Sequence, residues 1–236
     1  MPFSALILSI IVIFCAQASN CQRHGDLVRV HSLAQAVKAQ KPNLVGKLLK
    51  QQADPNEIDS YGSTPLHWAC YLAKDAESLR CVALLIEHGG NVNAKDIEGG
   101  TPLYWAIRND YVDKKTKSFP CVELLMDKGA DVNAKDNNGF APLHWAITKT
   151  DLLALLLERH AEVNIQDNNG NTPLHYAVHD ALKRNDKQTI KLLMQYHVNL
   201  GIKNNKEETP LDLAKAMRPD DEIITLLSPK EESSTT

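Results

Sequence analysis

The sequence predicts an all-α solenoid: stacked helix-loop-helix units joined by β-hairpin-like turns. Three observations predict it. The string TPLHWA (64–69) returns as TPLYWA (101–106), APLHWA (141–146), TPLHYA (172–177) and TPLDLA (209–214). A second string, CVALLI (81–86), returns as CVELLM (121–126), LLALLL (152–157), TIKLLM (189–194) and IITLLS (223–228), with LVGKLL (44–49) a weaker copy. From each apolar string to the next TPLH-type start the interval is always 20 residues (44 to 64, 81 to 101, 121 to 141, 152 to 172, 189 to 209). In the other direction the gap runs 17, 20, 11, 17 and 14 residues. The joint between units is therefore strict, and all length variation lies within a unit.

Residues 3–16, FSALILSIIVIFCA, come first and carry no charge. A membrane-spanning helix wants roughly 20 apolar residues, so the run is short for one and reads as a signal-peptide core. Ala16-Gln17-Ala18 supplies small residues for cleavage before Ser19. No Lys or Arg precedes the run, whereas Arg23, Arg29, Lys38 and Lys41 follow it, the charge order of an uncleaved anchor over residues 3–18. The first reading, residues 1–18 as a cleaved signal and 19–30 as a linker, gives an exported protein. The second gives a membrane-anchored one.

Within each unit the local chemistry is legible. In TPLH, Thr64, Thr101 and Thr172 are N-caps whose hydroxyls take an orphan N–H, and the following Pro costs no hydrogen bond at the first helical position. His67, His144 and His175 stand at the third helical position, where a capping box reaches back to the cap. The apolar strings bury positions i, i+1, i+4 and i+5, one stripe of a short helix. Gly89 and Gly129 follow as left-handed C-caps, and His160 and His197 stand in the same place. Asp-Asn-Asn-Gly at 136–139 and 167–170 is turn chemistry.

This pattern resembles the ankyrin repeat, a 33-residue unit with the signature T-P-L-H-x-A. The resemblance covers residues 31–228 as six units, 31–63, 64–100, 101–140, 141–171, 172–208 and 209–228, with the first and last degenerate and a tail at 229–236. Departures are Ala141 for the capping Thr, Tyr104 and Asp212 for His, and Glu207 for the turn Gly. Losing the Thr cap costs on the order of 1 kcal/mol, which stacking offsets. The resemblance implies protein–protein recognition by a stiff concave surface, with no catalysis and no cofactor.

Composition agrees with a soluble repeat domain. With 26 Lys+Arg against 29 Asp+Glu, the net charge of -3 gives no basic field for nucleic acid. Lys114, Lys115 and Lys117, beside Asp110 and Asp113, read as a solvated loop. Of the five cysteines, Cys15 and Cys21 lie near the N-terminus, while Cys70, Cys81 and Cys121 fall on repeat positions that read as buried. Cys81 and Cys121 hold the same stripe position in adjacent units. Packed helices lie 8–10 Å apart, roughly, beyond the reach of a disulfide between those two. No Asn-x-Ser/Thr sequon occurs, which suits a bacterial periplasm at least as well as a eukaryotic secretory route.

Catalysis and metal binding find little support. His67, His144 and His175 repeat at one helix position in different units, too far apart to share a metal. The turn Asp and Asn residues lack the EF-hand spacing. Trp68, Trp105 and Trp145 recur on the first helices, either as core filling between units or as an exposed ladder for a partner. Candidate partner-binding positions are Tyr61, Ile97 and Phe140 at turn tips, and Tyr71, Arg108 and His179 on the solvent side of first helices. The charged inserts 71–80, 108–120 and 179–188 offer a second surface. The expectation is a monomeric, exported or membrane-tethered adaptor for a protein partner, with membrane contact only if the N-terminal run is uncleaved. The alternatives are a bacterial secreted effector acting on a host protein, and a periplasmic accessory protein that protects or assists an enzyme.

Overall fold

A computed structural model describes residues 32–112, 119–184, 186–217 and 221–228. The signal-like run, the linker 19–30, the lysines at 114–117 and the tail 229–236 lie outside them. The described residues form helices in pairs: α1 (Leu33–Lys38) with α2 (Pro42–Lys50), α3 (Pro65–Leu72) with α4 (Ala76–Glu87), and α5 (Pro102–Val112) with α6 (Phe119–Asp127). Then come α7 (Pro142–Ala146) with α8 (Thr150–Glu158), α9 (Pro173–Arg184) with α10 (Gln188–Leu193), and α11 (Pro210–Met217) with α12 (Asp221–Leu227). First helices pack on first helices, from α1 through α11, and α2, α4 and α6 pack on one another in a second layer.

The repeated strings explain the packing. Leu66, Leu103, Leu143 and Leu174 of the TPL motif are at most 1% exposed. Val82, Val122, Leu153 and Ile190, at the second position of the apolar strings, are all fully enclosed. Leu85, Leu125, Leu156 and Leu193 complete the stripe, each burial contributing about 1.5–3 kcal/mol. No helix among the described residues is long and apolar enough to cross a membrane.

The inserts differ from their expected role. Residues 76–80 belong to α4, which starts ahead of CVALLI on an Asp75 cap: the Ser78 N–H donates to Asp75 Oδ1 at 2.9 Å and the Asp75 N–H to Ser78 Oγ at 3.1 Å. Residues 108–112 and 179–184 extend α5 and α9 to 11 and 12 residues, against five in α7. Much of the variable length therefore lengthens helices instead of forming a separate edge.

Helix ends also correct one expectation. Gly89 (φ 89), Gly129 (φ 85) and His160 (φ 64) are left-handed, and the N–H after each returns to the helix, as Gly90 N–H does to the Leu85 carbonyl at 2.8 Å. His197 is not left-handed. There α10 ends through two successive three-residue turns, Gln195 N–H to the Leu192 carbonyl and Tyr196 N–H to the Leu193 carbonyl, and needs no positive φ.

Candidate functional site

The turn row and the first helices are one construction. In each turn a backbone bond closes the hairpin, as in Asp96 N–H to the Gly100 carbonyl at 3.0 Å. The same Asp folds the loop around its carboxylate: Asp96 Oδ1 accepts from Glu98 N–H (2.9 Å) and Gly100 N–H (2.8 Å). Asp59, Asp136 and Asp167 accept likewise from the residues two and four ahead. The second carboxylate oxygen then takes an aromatic donor nine residues on: Trp68 Nε1 to Asp59 (2.8 Å), Trp105 Nε1 to Asp96 (2.7 Å), Tyr176 OH to Asp167 (2.5 Å). This bond explains why an aromatic donor recurs in the motif: it ties the turn to the helix behind it. At Asp136 the Tyr104 side chain, from the same unit, is among the groups that favour the charged carboxylate. Burial raises the Asp136 pKa, and the Phe140 and Asn138 N–H groups partly oppose it.

The motif histidines tie each first helix to the turn that leads into the next unit. His67 Nε2 faces the Gly100 carbonyl at 3.1 Å, so this nitrogen carries the proton and Nδ1 accepts. Nδ1 receives the Thr64 N–H at 3.0 Å and lies 2.9 Å from the Thr64 hydroxyl. His175 repeats this with Thr172 and the Glu208 carbonyl, and His144 with the Ala141 N–H and the Asn171 carbonyl. The Thr64 and Thr172 hydroxyls thus also face the imidazole. Where His is absent, the hydroxyl accepts from the backbone, Thr101 from Tyr104 (3.3 Å) and Thr209 from Asp212 (3.2 Å). Burial holds all three histidines below the ordinary imidazole value, partly offset by the bond to the carbonyl just before the next unit.

The sequence reading missed a second set of unit-joining residues. Asn56, Asn93, Asn133 and Asn164 occupy one register in the links. Each side-chain oxygen accepts at 2.8 Å from a backbone N–H of the next unit: Asn91, Asp131, Glu162 and Asn199 respectively. The amides of Asn56 and Asn93 also donate to the carbonyls of Gly89 and Gly129, both at 2.9 Å. The recurring Asn was the available signal.

The candidate recognition residues divide. Ile97 is 64% exposed at its turn tip, and Tyr61 is half-buried one turn earlier. Phe140 does not share that surface. It stands three registers further on, where the chain turns into α7, is 9% exposed, and packs on Trp145 (5.3 Å between ring centroids) and Tyr176 (5.6 Å). Trp105 is 8% exposed and edge-on to Trp68 at 5.1 Å and to Tyr71 at 5.9 Å. Trp68, Trp145 and Tyr71 are half-buried, and Lys38 Nζ lies 3.7 Å from the Trp68 ring centroid. Arg108 is half-buried over Tyr104 and 3.8 Å from Glu98, while His179 is exposed. Ile58, 66% exposed, is an addition: other units carry Lys95, Lys135, Gln166 and Lys203 in its register. Among the described residues no three His, Cys, Asp or Glu side chains converge as metal ligands.

Paired helices stacked in two layers, joined by hairpin turns and inter-unit histidines, define a helical repeat solenoid. The chain belongs to the ankyrin-repeat family: the profile for ankyrin repeats (3 copies) matches residues 33–136, 114–183 and 148–235. Among solved structures, it is similar to the ankyrin repeat domain of Bcl-3, described as a unique member of the IkappaB protein family. The TM-score is 0.69 at 28% identity, covering 83% of this chain and 80% of that one. No curated protein matches the chain in sequence. Ankyrin repeats are protein–protein interaction modules, and the fold is a non-enzymatic scaffold.

Proposed function

We propose that this ankyrin array, taken as six units, is an exported or membrane-tethered adaptor that binds a folded protein partner at the first two turns of its row. The observation that carries the site is the exposure of Ile58 and Ile97 (66% and 64%), where corresponding turns carry Lys, Gln, Ser or Asn. An aliphatic side chain in those places does nothing for the turn, and exposed apolar groups on a rigid frame mark recognition surfaces. Tyr61, Tyr71 and Trp68 border the same turns. Export is supported by the apolar run at 3–16 and the small residues at 16–18.

The test is affinity capture with residues 19–236 as bait, comparing the natural sequence with an Ile58→Ser, Tyr61→Ser, Ile97→Ser variant of equal helicity. Loss of the captured protein from the variant supports the surface, and undiminished capture refutes it. N-terminal sequencing of the cellular protein addresses export separately, since an intact Met1–Ala18 defeats the cleaved signal.

A further inference from the structure

Two registers of the turn row carry side-chain bonds from turn to turn. In the first, Lys95 Nζ donates to the Lys135 carbonyl (3.0 Å), Lys135 Nζ to the Gln166 carbonyl (2.8 Å) and Gln166 Nε2 to the Lys203 carbonyl (3.2 Å). In the second, the amides of Asn137, Asn168 and Asn205 donate back to the carbonyls of Ile97 (2.9 Å), Asn137 (2.9 Å) and Asn168 (3.0 Å). Ile58 holds the first register and Ile97 the second at one junction, between the first two turns. An aliphatic side chain donates to neither the Lys95 nor the Ser60 carbonyl there. The loops still stack, since the Ile97 N–H reaches the Tyr61 carbonyl at 3.1 Å. This junction therefore lacks both side-chain bonds and exposes two aliphatic groups in their place.

Charge at these turns is equally specific. Glu57 precedes Ile58 where other turns carry Ala94, Ala134, Ile165 and Ile202, and Glu98 follows Ile97 where they carry Tyr61, Asn138, Asn169 and Lys206. Both glutamates are exposed. The nearby cations are turned elsewhere. Lys38 Nζ lies over Trp68 and 3.7 Å from Asp59, and Lys95 Nζ is on the Lys135 carbonyl. Arg108 lies over Tyr104 and 3.8 Å from Glu98, whose side chain stays 50% exposed. Glu57 pairs with no cation among the described residues.

We propose that the partner segment held by the first two turns is basic, a stretch in which Lys or Arg side chains flank apolar ones. Its apolar groups meet Ile58 and Ile97, and its cations meet Glu57 and Glu98. This rests on the docking surface proposed above and adds the chemistry of what that surface holds. Opposite charge beside an apolar patch steers encounter and fixes register, while the apolar contact supplies most of the affinity. An acidic segment of the same apolar content would set like charges together, and an uncharged one would desolvate two carboxylates without pairing them.

The experiment selects a phage-displayed library of random peptides on the immobilised full chain, with two variants in parallel. Ile58→Lys, Ile97→Asn installs the residues that bond adjacent turns elsewhere in the row, and Glu57→Lys, Glu98→Lys reverses the charge. The natural chain should enrich peptides that combine Lys or Arg with apolar residues, and the charge-reversed chain should enrich Asp or Glu instead. The Ile58→Lys, Ile97→Asn chain should bind none of the first set while unfolding at the same or a higher temperature, which separates lost binding from lost fold. A synthetic peptide of the first set should bind a Glu57→Gln, Glu98→Gln chain about fivefold more weakly by fluorescence anisotropy. Failure to enrich basic peptides, or their persistence on the charge-reversed chain, overturns the proposal. Enriched peptides that are not basic, yet are lost on the Ile58→Lys, Ile97→Asn chain, overturn it and leave the docking surface standing. Binding undiminished on that chain removes the surface as well.

Discussion

Interior junctions and the last unit place different residues at the same positions, and each difference has one cause. Inside the array, His67 and His175 cap their own helix and donate to the turn that leads into the following unit. In the last unit Asp212 accepts the Thr209 N–H at 3.0 Å and the Thr209 hydroxyl at 2.7 Å, and caps only. A carboxylate has no proton to give a carbonyl, and among the described residues no later turn faces this one. The bridging register of Asn56, Asn93, Asn133 and Asn164 ends in Gly201. The turn position held by Gly139 and Gly170 ends in Glu207, which takes a left-handed φ of 61. Residues that look like a motif are thus two functions superimposed, and the end of the array separates them.

The strongest way to break this comparison is Gly139→Ala. Gly139 has φ 81, and a Cβ there would meet the Asn168 backbone nitrogen at 2.6 Å. The left-handed strain and the collision with the next turn together should cost about 3 kcal/mol in urea unfolding. A loss under about 1 kcal/mol would show that the turns are not rigidly stacked.

Next in size is His144→Ala, which strands the Ala141 N–H and the Asn171 carbonyl and should cost about 2 kcal/mol. Asp212→Ala, which loses only the bonds to Thr209, should cost less. The same histidines predict a pH dependence. Their folded pKa values lie below the unfolded value of about 6.5, so the unfolded chain binds more protons in between. Their contribution is whole above about pH 6.5 and is lost as pH falls through the folded values. Asp136 and Asp180, raised by burial, act with the opposite sign: their contribution is whole below the unfolded carboxylate value of about 4 and fades as pH rises through the folded values. Ring-proton NMR titration of His67, His144 and His175 is the direct check. A value at or above 6.5 would contradict the buried neutral staple.

How much was legible in the sequence follows the same division. The solenoid, the buried Leu66 and Val82 stripes and the left-handed Gly89 and His160 were readable, because each rests on local periodicity or backbone preference. The partners of His67 and Asn56 lie 33 and 35 residues away, and no local rule names them. Trp68 was ambiguous because its bond to Asp59 depends on how the turn folds back. Phe140 was misplaced for a related reason: its register next to the cap turns the ring toward Trp145 and Tyr176, whereas Ile97, three registers earlier, points out.

The smallest effect tests the comparison from its far end. Glu207 adopts the left-handed conformation without glycine's freedom, at a cost of roughly 1 kcal/mol. Its carboxylate meets Lys203 Nζ at 3.1 Å, an exposed pair that contributes little. Glu207→Gly should therefore stabilise the chain by about 0.5 kcal/mol, strain relief outweighing the added freedom of the unfolded chain. The same exchange reversed at Gly170, where a Cβ would meet the Asn205 side-chain oxygen at 2.7 Å, should destabilise strongly. Opposite signs at one repeat position would show that the interior glycine is demanded by the neighbouring turn as well as by its own. Equal and opposite magnitudes would assign the whole effect to φ and remove the neighbour from the account.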